Sequence, residues 1–403
     1  MTILFVAFPS SIHTSRWLSQ LKDTGWDIHL FSSMPGKMPH EEIEGITFHE
    51  NFYILPATPG KGYKFCSIGL PALSFIRNST FKKIIQKFLA VTGIEKKRDD
   101  QLTKVIKSIR PDIIHSFETQ HSGYLLSRVK ENYKEKFPLW IHSNWGIDLH
   151  FFGQLEEHIL PIRKTLSLID VFITEGKRDE ILARSFGFAG NMYTFYSVGG
   201  GFFFPPVFGA KPSARKKILV KGTQDLVRRG LVAMRALERC VDVLADYDIV
   251  LYSSNDITQV AAETFFFRTG KRIFVLDEIS HVEMLQLNAE ARLNICVNMS
   301  DGMPNSMLEA MMMGAFPIQS DTSLADEFIV HEKNGMIVPP EDPDIIEAAI
   351  RKALMDDAMV DNAAEINRKI VSEKLNYTKI QKAVTNMYLN SINLHKAYYA
   401  SKI

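Results

Sequence analysis

The sequence is poor in cysteine, balanced in charge and without long apolar runs. Its three cysteines, Cys66, Cys240 and Cys296, form no CxxC pair, so neither a disulfide framework nor a zinc knuckle is indicated. Lys and Arg total 47 against 46 for Asp and Glu, so the overall charge points to no nucleic acid or acidic polymer as a partner. No apolar run reaches the ~18 residues of a membrane span. The sequence predicts a cytoplasmic protein, or one on the inner surface of the cell membrane.

What the sequence does contain is enough apolar material for more than one core. Of its 403 residues, 46% are hydrophobic and 23% are charged, as in ordinary globular proteins. A chain of this length divides into domains of about 150 to 200 residues. The short apolar run at 3–8 follows no basic segment, which predicts a strand rather than a signal peptide.

Apolar runs of strand length alternate with helix-length segments in both halves of the chain. Glycines and prolines are concentrated between the halves, so we predict an N-terminal domain at 1–200, a linker at 201–214 and a C-terminal domain at 215–376. Both domains are predicted to be doubly wound and Rossmann-like, and 377–403 is predicted to be a helix. The predicted strands are 3–8, 26–31, 112–115, 138–142, 171–174, 217–221, 248–252, 272–276, 293–297 and 316–319.

The segment 301–317 carries the densest set of chemical signals. Asp301 follows a predicted strand, Pro304 suits the first turn of a helix, and Gly314 suits its end. Asp301 and Glu309 are then expected to face one cleft, where carboxylates accept hydrogen bonds from sugar and ribose hydroxyls. The alternative is a capped loop with a surface glutamate.

The start of this predicted helix also suits an anion. The first backbone N–H groups of a helix lack intrahelical partners and lie at the positive end of its dipole, which favours a diphosphate. The residues expected to bind a diphosphate in this way are Gly302, Asn305, Ser306 and Met307.

The pattern acidic-Gly-x-Pro-x-x-x-Leu-Glu-Ala-Met-x-x-Gly-x-Pro at 301–317, followed by Ser320-Asp321 and by 334–340, resembles the retaining glycosyltransferases of family 4. Weaker similarity covers nearly the whole chain, at 3–6, His13, Arg16-Trp17, 110–115, 145–148 and 217–222. The resemblance implies the GT-B fold, an α/β architecture in which two doubly wound Rossmann-like domains face a central cleft. It also implies that the first domain binds the acceptor, that the second binds the nucleotide sugar, and that the helix from Tyr377 crosses back to the first domain.

The resemblance assigns roles to residues of the second domain. It implies that Asp301, where the family usually has glutamate, contacts the donor sugar and that Glu309 contacts the ribose. The family also places an arginine and a Lys-Gly pair against the donor diphosphate. Thr223 stands roughly where that arginine is expected, so we infer that Lys221 and Arg229 share its task. Arg228 is a further donor-binding candidate or a solvated residue at the start of a helix.

Candidates on the acceptor side lie in the first domain. Serine hydroxyls and N–H groups after the first strand suit an acceptor or a phosphate. The family histidine near the donor sugar is missing at Trp145, so His142, as a catalytic candidate, and His121 are considered instead, each with a purely structural role as the alternative. Asp148 either binds the acceptor or caps the segment that follows it. The acceptor-side residues are Ser10, Ser11, His13, His121 and Asp148.

Residues 61–110 contain twelve Lys and Arg against three Asp and Glu, a local excess of +9. Lysines interleaved with apolar residues are typical of helices at an anionic membrane surface. A solvated amphipathic helix and a docking site for an anionic glycan are the alternatives.

These observations predict an enzyme that moves a sugar from a UDP- or GDP-sugar type of donor to a hydroxyl of a glycan or a lipid-linked saccharide. Retention, and a role in bacterial cell-surface polysaccharide or glycoconjugate synthesis, are implied by the resemblance alone. Fixed cations and helix dipoles can stabilise the leaving diphosphate, so no metal and no cofactor are expected. A sugar-nucleotide epimerase of the same fold and a catalytically inactive binding protein are the alternatives.

Overall fold

A computed structural model describes residues 1–51, 62–68, 98–197, 199–204 and 209–400, without the side chains of 398–400. The chain divides into two compact units. The first comprises 1–201 together with 378–403, and the second comprises 202–377. Of the basic segment 61–110, residue 61 and residues 69–97 lie outside the described residues, so the membrane-surface prediction rests on a part of the chain that is not described.

The first unit is built on one parallel sheet of eight strands in the order β4-β3-β2-β1-β5-β6-β7-β8. Its central strands are buried on both faces, which is why they read in the sequence as continuous apolar runs. The strands are β1 (Thr2–Ala7), β2 (Asp27–Ser32), β3 (Thr47–Asn51), β4 (Lys64–Ile68), β5 (Ile113–Phe117), β6 (Leu139–Ser143), β7 (Val171–Thr174) and β8 (Asn191–Thr194).

The second unit is built on a parallel sheet of six strands in the order β11-β10-β9-β12-β13-β14. Both sheets reverse their direction of winding once, between β1 and β5 in the first and between β9 and β12 in the second. Ligands of such sheets bind beyond the carboxyl ends of the strands at this reversal. The strands are β9 (Lys217–Lys221), β10 (Asp248–Tyr252), β11 (Ile273–Val275), β12 (Ala291–Cys296), β13 (Phe316–Ser320) and β14 (Met336–Val338).

Helices cover the faces of both sheets. They are α1 (Ile12–Ser19), α2 (Arg98–Ile109), α3 (Tyr124–Asn132), α4 (Glu156–Leu168), α5 (Lys177–Ser185), α6 (Gly230–Arg239), α7 (Asp256–Thr269), α8 (His281–Glu290), α9 (Asn305–Met313), α10 (Pro343–Met355), α11 (Asp357–Lys374) and α12 (Tyr377–Ala400). None of the helices within the described residues is long and apolar enough to cross a membrane.

The C-terminal helix α12 packs on the first unit, as the family resemblance implied. Its Val384, Met387 and Tyr388 are buried in the core that the first sheet forms with α1. The Tyr388 hydroxyl accepts a hydrogen bond from Nε1 of Trp17 at 2.9 Å and lies 2.5 Å from Nδ1 of His115. Burial raises the pKa of Tyr388 well above its ordinary value, so the hydroxyl stays protonated.

The segment predicted as a linker, 201–214, belongs to the second unit from Phe202 onward. Phe202 donates its N–H to the carbonyl of Leu375 at 2.7 Å, and Tyr377 donates to the carbonyl of Phe202 at 3.0 Å. Further on, Pro212–Ala214 forms a short 3₁₀ helix. Residues 202–204 and 209–214 therefore belong to the second unit. The glycines and prolines at 199–212 do not separate them from it, because buried backbone groups need hydrogen-bond partners and those of Phe202 find theirs there.

Candidate functional site

Asp301 lies in the loop between β12 and α9, at the winding reversal of the second sheet. One oxygen of its carboxylate, Oδ2, accepts from Nδ2 of Asn298 at 2.7 Å, and Oδ1 accepts from the N–H of Gly302 at 2.9 Å. Both contacts come from its own loop, so the carboxylate is held in place before any ligand arrives.

The helix α9 begins where the sequence predicted. Pro304 is its N-cap, and Gly314 ends it with φ at 83°, a left-handed conformation that favours glycine. The expected set of open N–H groups is wrong at two positions, because the N–H of Met307 donates to the carbonyl of Pro304 at 3.0 Å and that of Gly302 donates to Oδ1 of Asp301. Asn305 and Ser306 are the first two residues of the helix.

Glu309 lies on the buried side of α9. Its Oε1 is 2.9 Å from Nε2 of His281, the first residue of α8. The sequence analysis did not identify His281. Ser280 and Glu283 form a capping box, a local signal that marks the start of α8 at His281 but not its contact with Glu309.

The three cationic side chains near β9 differ in their partners. Arg229 donates from Nε to Oε1 of Glu341 at 2.9 Å and from Nη1 to three carbonyls of its own loop. Arg228 pairs with Asp225 at 2.6 Å. Lys221 is partly exposed at the carboxyl end of β9 and makes no ion pair within the described residues.

Backbone contacts hold this loop against the end of β12. Arg229 donates its N–H to the carbonyl of Val297 at 3.0 Å, and Met299 donates to the carbonyl of Val227 at 2.6 Å. Gly230 fits because a Cβ atom there would lie 2.4 Å from the carbonyl oxygen of Gly222. The loops that follow β9 and β12 therefore meet at the winding reversal.

The acceptor-side candidates of the first unit lie at the reversal between β1 and β5. Ser11 caps α1 by accepting from the N–H of His13 at 3.2 Å. The ring of His13 meets that of Trp145 at 5.7 Å, and the ring of Phe8 meets those of Trp145 at 5.7 Å and His121 at 5.1 Å. Ser10, in the same loop as Ser11, is exposed.

Glu118 is a functional candidate that the sequence analysis missed. It has a positive φ of 70° although it is not glycine, and its carboxylate accepts from the N–H groups of Gln120, His121 and Ser122. Nδ1 of His121 lies 3.0 Å from Oε1 of Glu118, and this hydrogen bond raises the pKa of His121. Strained backbone of this kind is concentrated at functional sites.

Asp148 does not reach solvent. Its Oδ2 accepts from the N–H groups of Thr119 at 2.9 Å and Trp145 at 2.8 Å, while Oδ1 is buried without a partner among the described residues. Burial, with the nearby charge of Glu118, raises its pKa well above the ordinary value. The prediction that Asp148 binds the acceptor is therefore corrected, because its carboxyl group holds two loops together inside the protein.

His142 is 0% exposed, which corrects its assignment as a catalytic residue. Its Nδ1 lies 2.7 Å from Oγ of Ser116, and its Nε2 lies 3.0 Å from Oγ1 of Thr119. Burial lowers its pKa to about 3, so the imidazole is neutral and structural.

We expect His142 to make the first unit sensitive to acid. The unfolded chain protonates this histidine below about pH 6.5, whereas the folded chain does so only near pH 3. Stability present above pH 6.5 is therefore lost as pH falls, at about 1.4 kcal/mol per pH unit for this one proton. In H142Q the free energy of unfolding should fall less steeply with pH, by the contribution of this one proton.

Urea unfolding followed by tryptophan fluorescence between pH 6.5 and 4 measures this slope. All four tryptophans, Trp17, Trp26, Trp140 and Trp145, lie in the first unit, so the signal reports on that unit. His115 and His49, whose pKa values are also lowered by burial, stay in both proteins and cancel in the comparison. Equal slopes in the two proteins would contradict a buried neutral His142.

Comparison with known proteins gives matches in both halves of the chain. The family model described as glycosyl transferases group 1 matches residues 266–370, and the model described as glycosyl transferase 4-like matches residues 2–88. Sucrose-phosphate synthase from Thermosynechococcus elongatus superposes with a TM-score of 0.70 at 14% identity, covering 97% of this chain and 98% of that one. The chain is a glycosyltransferase with the GT-B fold.

Other glycosyltransferase structures share this fold at similarly low identity. Anabaena HepE in complex with UDP-glucose has a TM-score of 0.68 at 12% identity, covering 97% of this chain and 100% of that one. The lipopolysaccharide outer core galactosyltransferase WaaB has a TM-score of 0.64 at 14% identity, covering 97% and 99%. Comparison with curated protein sequences finds no match.

The second unit of this glycosyltransferase brings several of the predicted residues to one edge of its sheet. Asp301, the start of α9 and Lys221 lie on the loops at the winding reversal, and Glu309 follows in α9 with His281 against it. In the first unit, Ser11, His13 and His121 lie around Phe8 and Trp145, whereas His142 and Asp148 lie beneath them.

Proposed function

We propose that this glycosyltransferase takes its sugar from a nucleoside diphosphate sugar, of UDP- or GDP-sugar type, and binds that donor on its second unit. The observation that carries the proposal is the Glu309–His281 contact. This contact holds the carboxylate of Glu309, which is buried on α9, in one orientation, with Oε1 at 2.9 Å from Nε2 of His281. A carboxylate presented in this way suits the two vicinal hydroxyls of a ribose, because both are hydrogen-bond donors.

The groups around Glu309 suit the remaining parts of such a donor. The start of α9 offers N–H groups and the positive end of its dipole to a diphosphate. Lys221, which has no ion pair among the described residues, supplies a positive charge at the end of β9. Arg229 is engaged with Glu341, so Lys221 takes the larger share of the charge that develops on the leaving diphosphate.

Asp301 is proposed to orient the sugar. Its carboxylate is held by Asn298 and Gly302, and an ionised carboxylate accepts hydrogen bonds from sugar hydroxyls. Aspartate in place of the longer glutamate lets the sugar ring lie closer to this loop.

The acceptor is proposed to be a hydroxyl of a glycan or of a lipid-linked saccharide, bound on the first unit. Glu118 holds Nδ1 of His121, so the other ring nitrogen, Nε2, is the one proposed to meet the acceptor. A half-exposed imidazole set in this way orients an acceptor hydroxyl, and the rings of Phe8 and Trp145 lie beside it. The transfer is proposed to retain the anomeric configuration and to need no metal. The role proposed for the enzyme is in bacterial cell-surface polysaccharide synthesis.

Similar proteins support these choices through what their structures contain. HepE was crystallised with UDP-glucose and with UDP. TarM from S. aureus, with a TM-score of 0.60 over 74% of this chain and 59% of its own, was crystallised with Fondaparinux, alpha-GlcNAc-glycerol and UDP. Both the nucleotide sugar and the glycan acceptor of the proposal have counterparts among these ligands.

Thermal unfolding in the presence of nucleoside diphosphates and their sugars tests the proposal. Without metal, the nucleotides of one base should stabilise the second unit. The gain should be about 2.7 kcal/mol when the nucleotide is present at a hundred times its dissociation constant. A repeat with Mg²⁺ and with EDTA tests independence from metal. If no nucleotide of the panel binds the folded protein, the proposed donor site is wrong.

The reaction itself is followed by NMR of the product with the donor so identified and a panel of glycan acceptors. We expect transfer with the anomeric configuration of the donor. An inverted product would contradict retention, and an epimerised nucleotide sugar formed without acceptor would contradict transfer.

A further inference from the structure

The strand β11 is an open edge of the second sheet. Among the described residues no strand pairs with its outer side. The N–H of Leu276 donates inward to the carbonyl of Leu251 at 2.9 Å, and because successive residues of a strand alternate, the backbone groups of Ile273 and Val275 face the open side. Open edges are templates for another strand, and most proteins protect them.

An exposed apolar surface lies beside this edge. Phe274 on β11 is 48% exposed, and Phe267 on the neighbouring helix α7 is 86% exposed. Between α7 and β11 runs a groove of about 460 Å³, lined among others by Gln259, Phe266 and Val275. Phe267 and this groove, whose lining is partly polar, lie on the α7 face of the sheet, whereas Phe274, which alternates with Ile273 and Val275, points to the other face. An exposed apolar side chain beside a groove is what self-association requires.

The charges that flank the strand have opposite signs at its two ends. The sequence from 271 to 278 reads Lys-Arg-Ile-Phe-Val-Leu-Asp-Glu, with two cations before the apolar residues and two anions after them. An antiparallel copy of this strand reverses the order and sets cations against anions. A parallel copy would set Lys271 against Lys271 and Asp277 against Asp277, which is unfavourable.

We propose that β11 pairs with β11 of a second copy of this chain, antiparallel, across a two-fold axis through Phe274. In this register Lys271 lies opposite Asp277 of the other copy, and Ile273 lies opposite Val275, whose backbone groups face the open side. The two Phe274 rings meet at the axis, and Arg272 is diagonal to Glu278. The result is one continuous sheet of twelve strands in a dimer.

The register also accounts for the apolar surface on α7. A two-fold axis normal to the sheet leaves both copies of α7 on the same face, on either side of the new strand pair. Phe267 of each copy then enters the groove beside Phe266 and Val275 of the other. Burial of these side chains adds apolar contact area to the backbone hydrogen bonds.

Sedimentation velocity of the full chain over a range of concentrations tests the dimer. We expect the parent protein to dimerise and K271D and D277K each to raise the dissociation constant tenfold or more at low salt, because each places like charges opposite one another twice. The double variant K271D/D277K restores opposite charges in both pairs, and its dissociation constant should return to within about threefold of the parent value.

Two further variants separate the proposed surface from general effects. K333D makes the same charge change at an exposed lysine elsewhere on the second unit and should leave the dimer unchanged. F267D replaces an exposed side chain, so it should abolish the dimer while the thermal unfolding temperature stays within about 2 °C. A monomeric parent protein at about 100 µM, or a double variant no better than the single ones, would overturn the proposal.

Discussion

Glu309→Ala should abolish nucleotide binding for practical purposes. The buried carboxylate is proposed to accept from two ribose hydroxyls, and hydrogen bonds to a charged group contribute about 1.5 to 3 kcal/mol each. Losing about 3 kcal/mol in total raises the dissociation constant of the nucleoside diphosphate at least 100-fold. Isothermal titration calorimetry of the parent and variant proteins with the nucleotide selected by the thermal panel measures this change.

The same titration on Glu373→Ala controls for the loss of one negative charge, because Glu373 is an exposed residue of the second unit on α11. His281→Ala should have a smaller effect, about tenfold, because it leaves the carboxylate in place and removes only the group that directs it. If Glu309→Ala binds the nucleotide as tightly as the parent protein, the ribose contact lies elsewhere on the second unit.

Arg292→Met should destabilise the second unit by about 4 kcal/mol. The side chain of Arg292 is 1% exposed and extends from β12 to the end of α10. Its Nε and Nη2 donate to the carbonyl of Ala353 at 3.1 and 2.9 Å, and Nη2 also donates to Leu354 at 3.1 Å. The last carbonyls of a helix have no intrahelical partners, so methionine would leave these acceptors buried and unsatisfied.

Calorimetry should show the transition of the second unit about 10 °C lower in this variant. Tryptophan fluorescence, which reports on the first unit, should be unchanged. The control is Asp357→Ala, which removes only the 70% exposed partner of Arg292 and should cost less than about 1 kcal/mol. Equal effects of the two substitutions would mean that the ion pair, and not the carbonyl contacts, carries the stability.

Local patterns in the sequence were sufficient for ten of the fourteen strands in the described residues, but not for β3, β4, β8 and β14. Five of the six strands of the second sheet, β9 to β13, were predicted to within two residues, because apolar runs bounded by helical segments are typical of buried parallel strands. The bounds of α9 follow in the same way from Pro304 and Gly314, whose backbone preferences depend on neighbouring residues alone. The winding reversal of the second sheet, where the loops after β9 and β12 meet, depends on the order of the strands. The contacts between these two loops were not predicted.

The histidines show where prediction from sequence failed. His142 and His121 were equally plausible from their spacing, but the sheet buries the first completely and leaves the second half exposed. His281 was not considered, although it lies 28 residues before the Glu309 it contacts, because nothing local marks a pair at that separation. Glu118 was missed for another reason, since its conformation with positive φ is unusual for glutamate.

The sequence by itself determined the two α/β units, the bounds of ten of the fourteen strands in the described residues, and the loop and helix that present Asp301 and Glu309, because periodicity, glycine and proline act over a few neighbouring residues. Only the tertiary structure decided which titratable groups are buried, which cations are already paired, as Arg229 is with Glu341, and which strand is left at an open edge. Those properties depend on which distant strands and helices become neighbours, and burial and charge pairing are set by such neighbours.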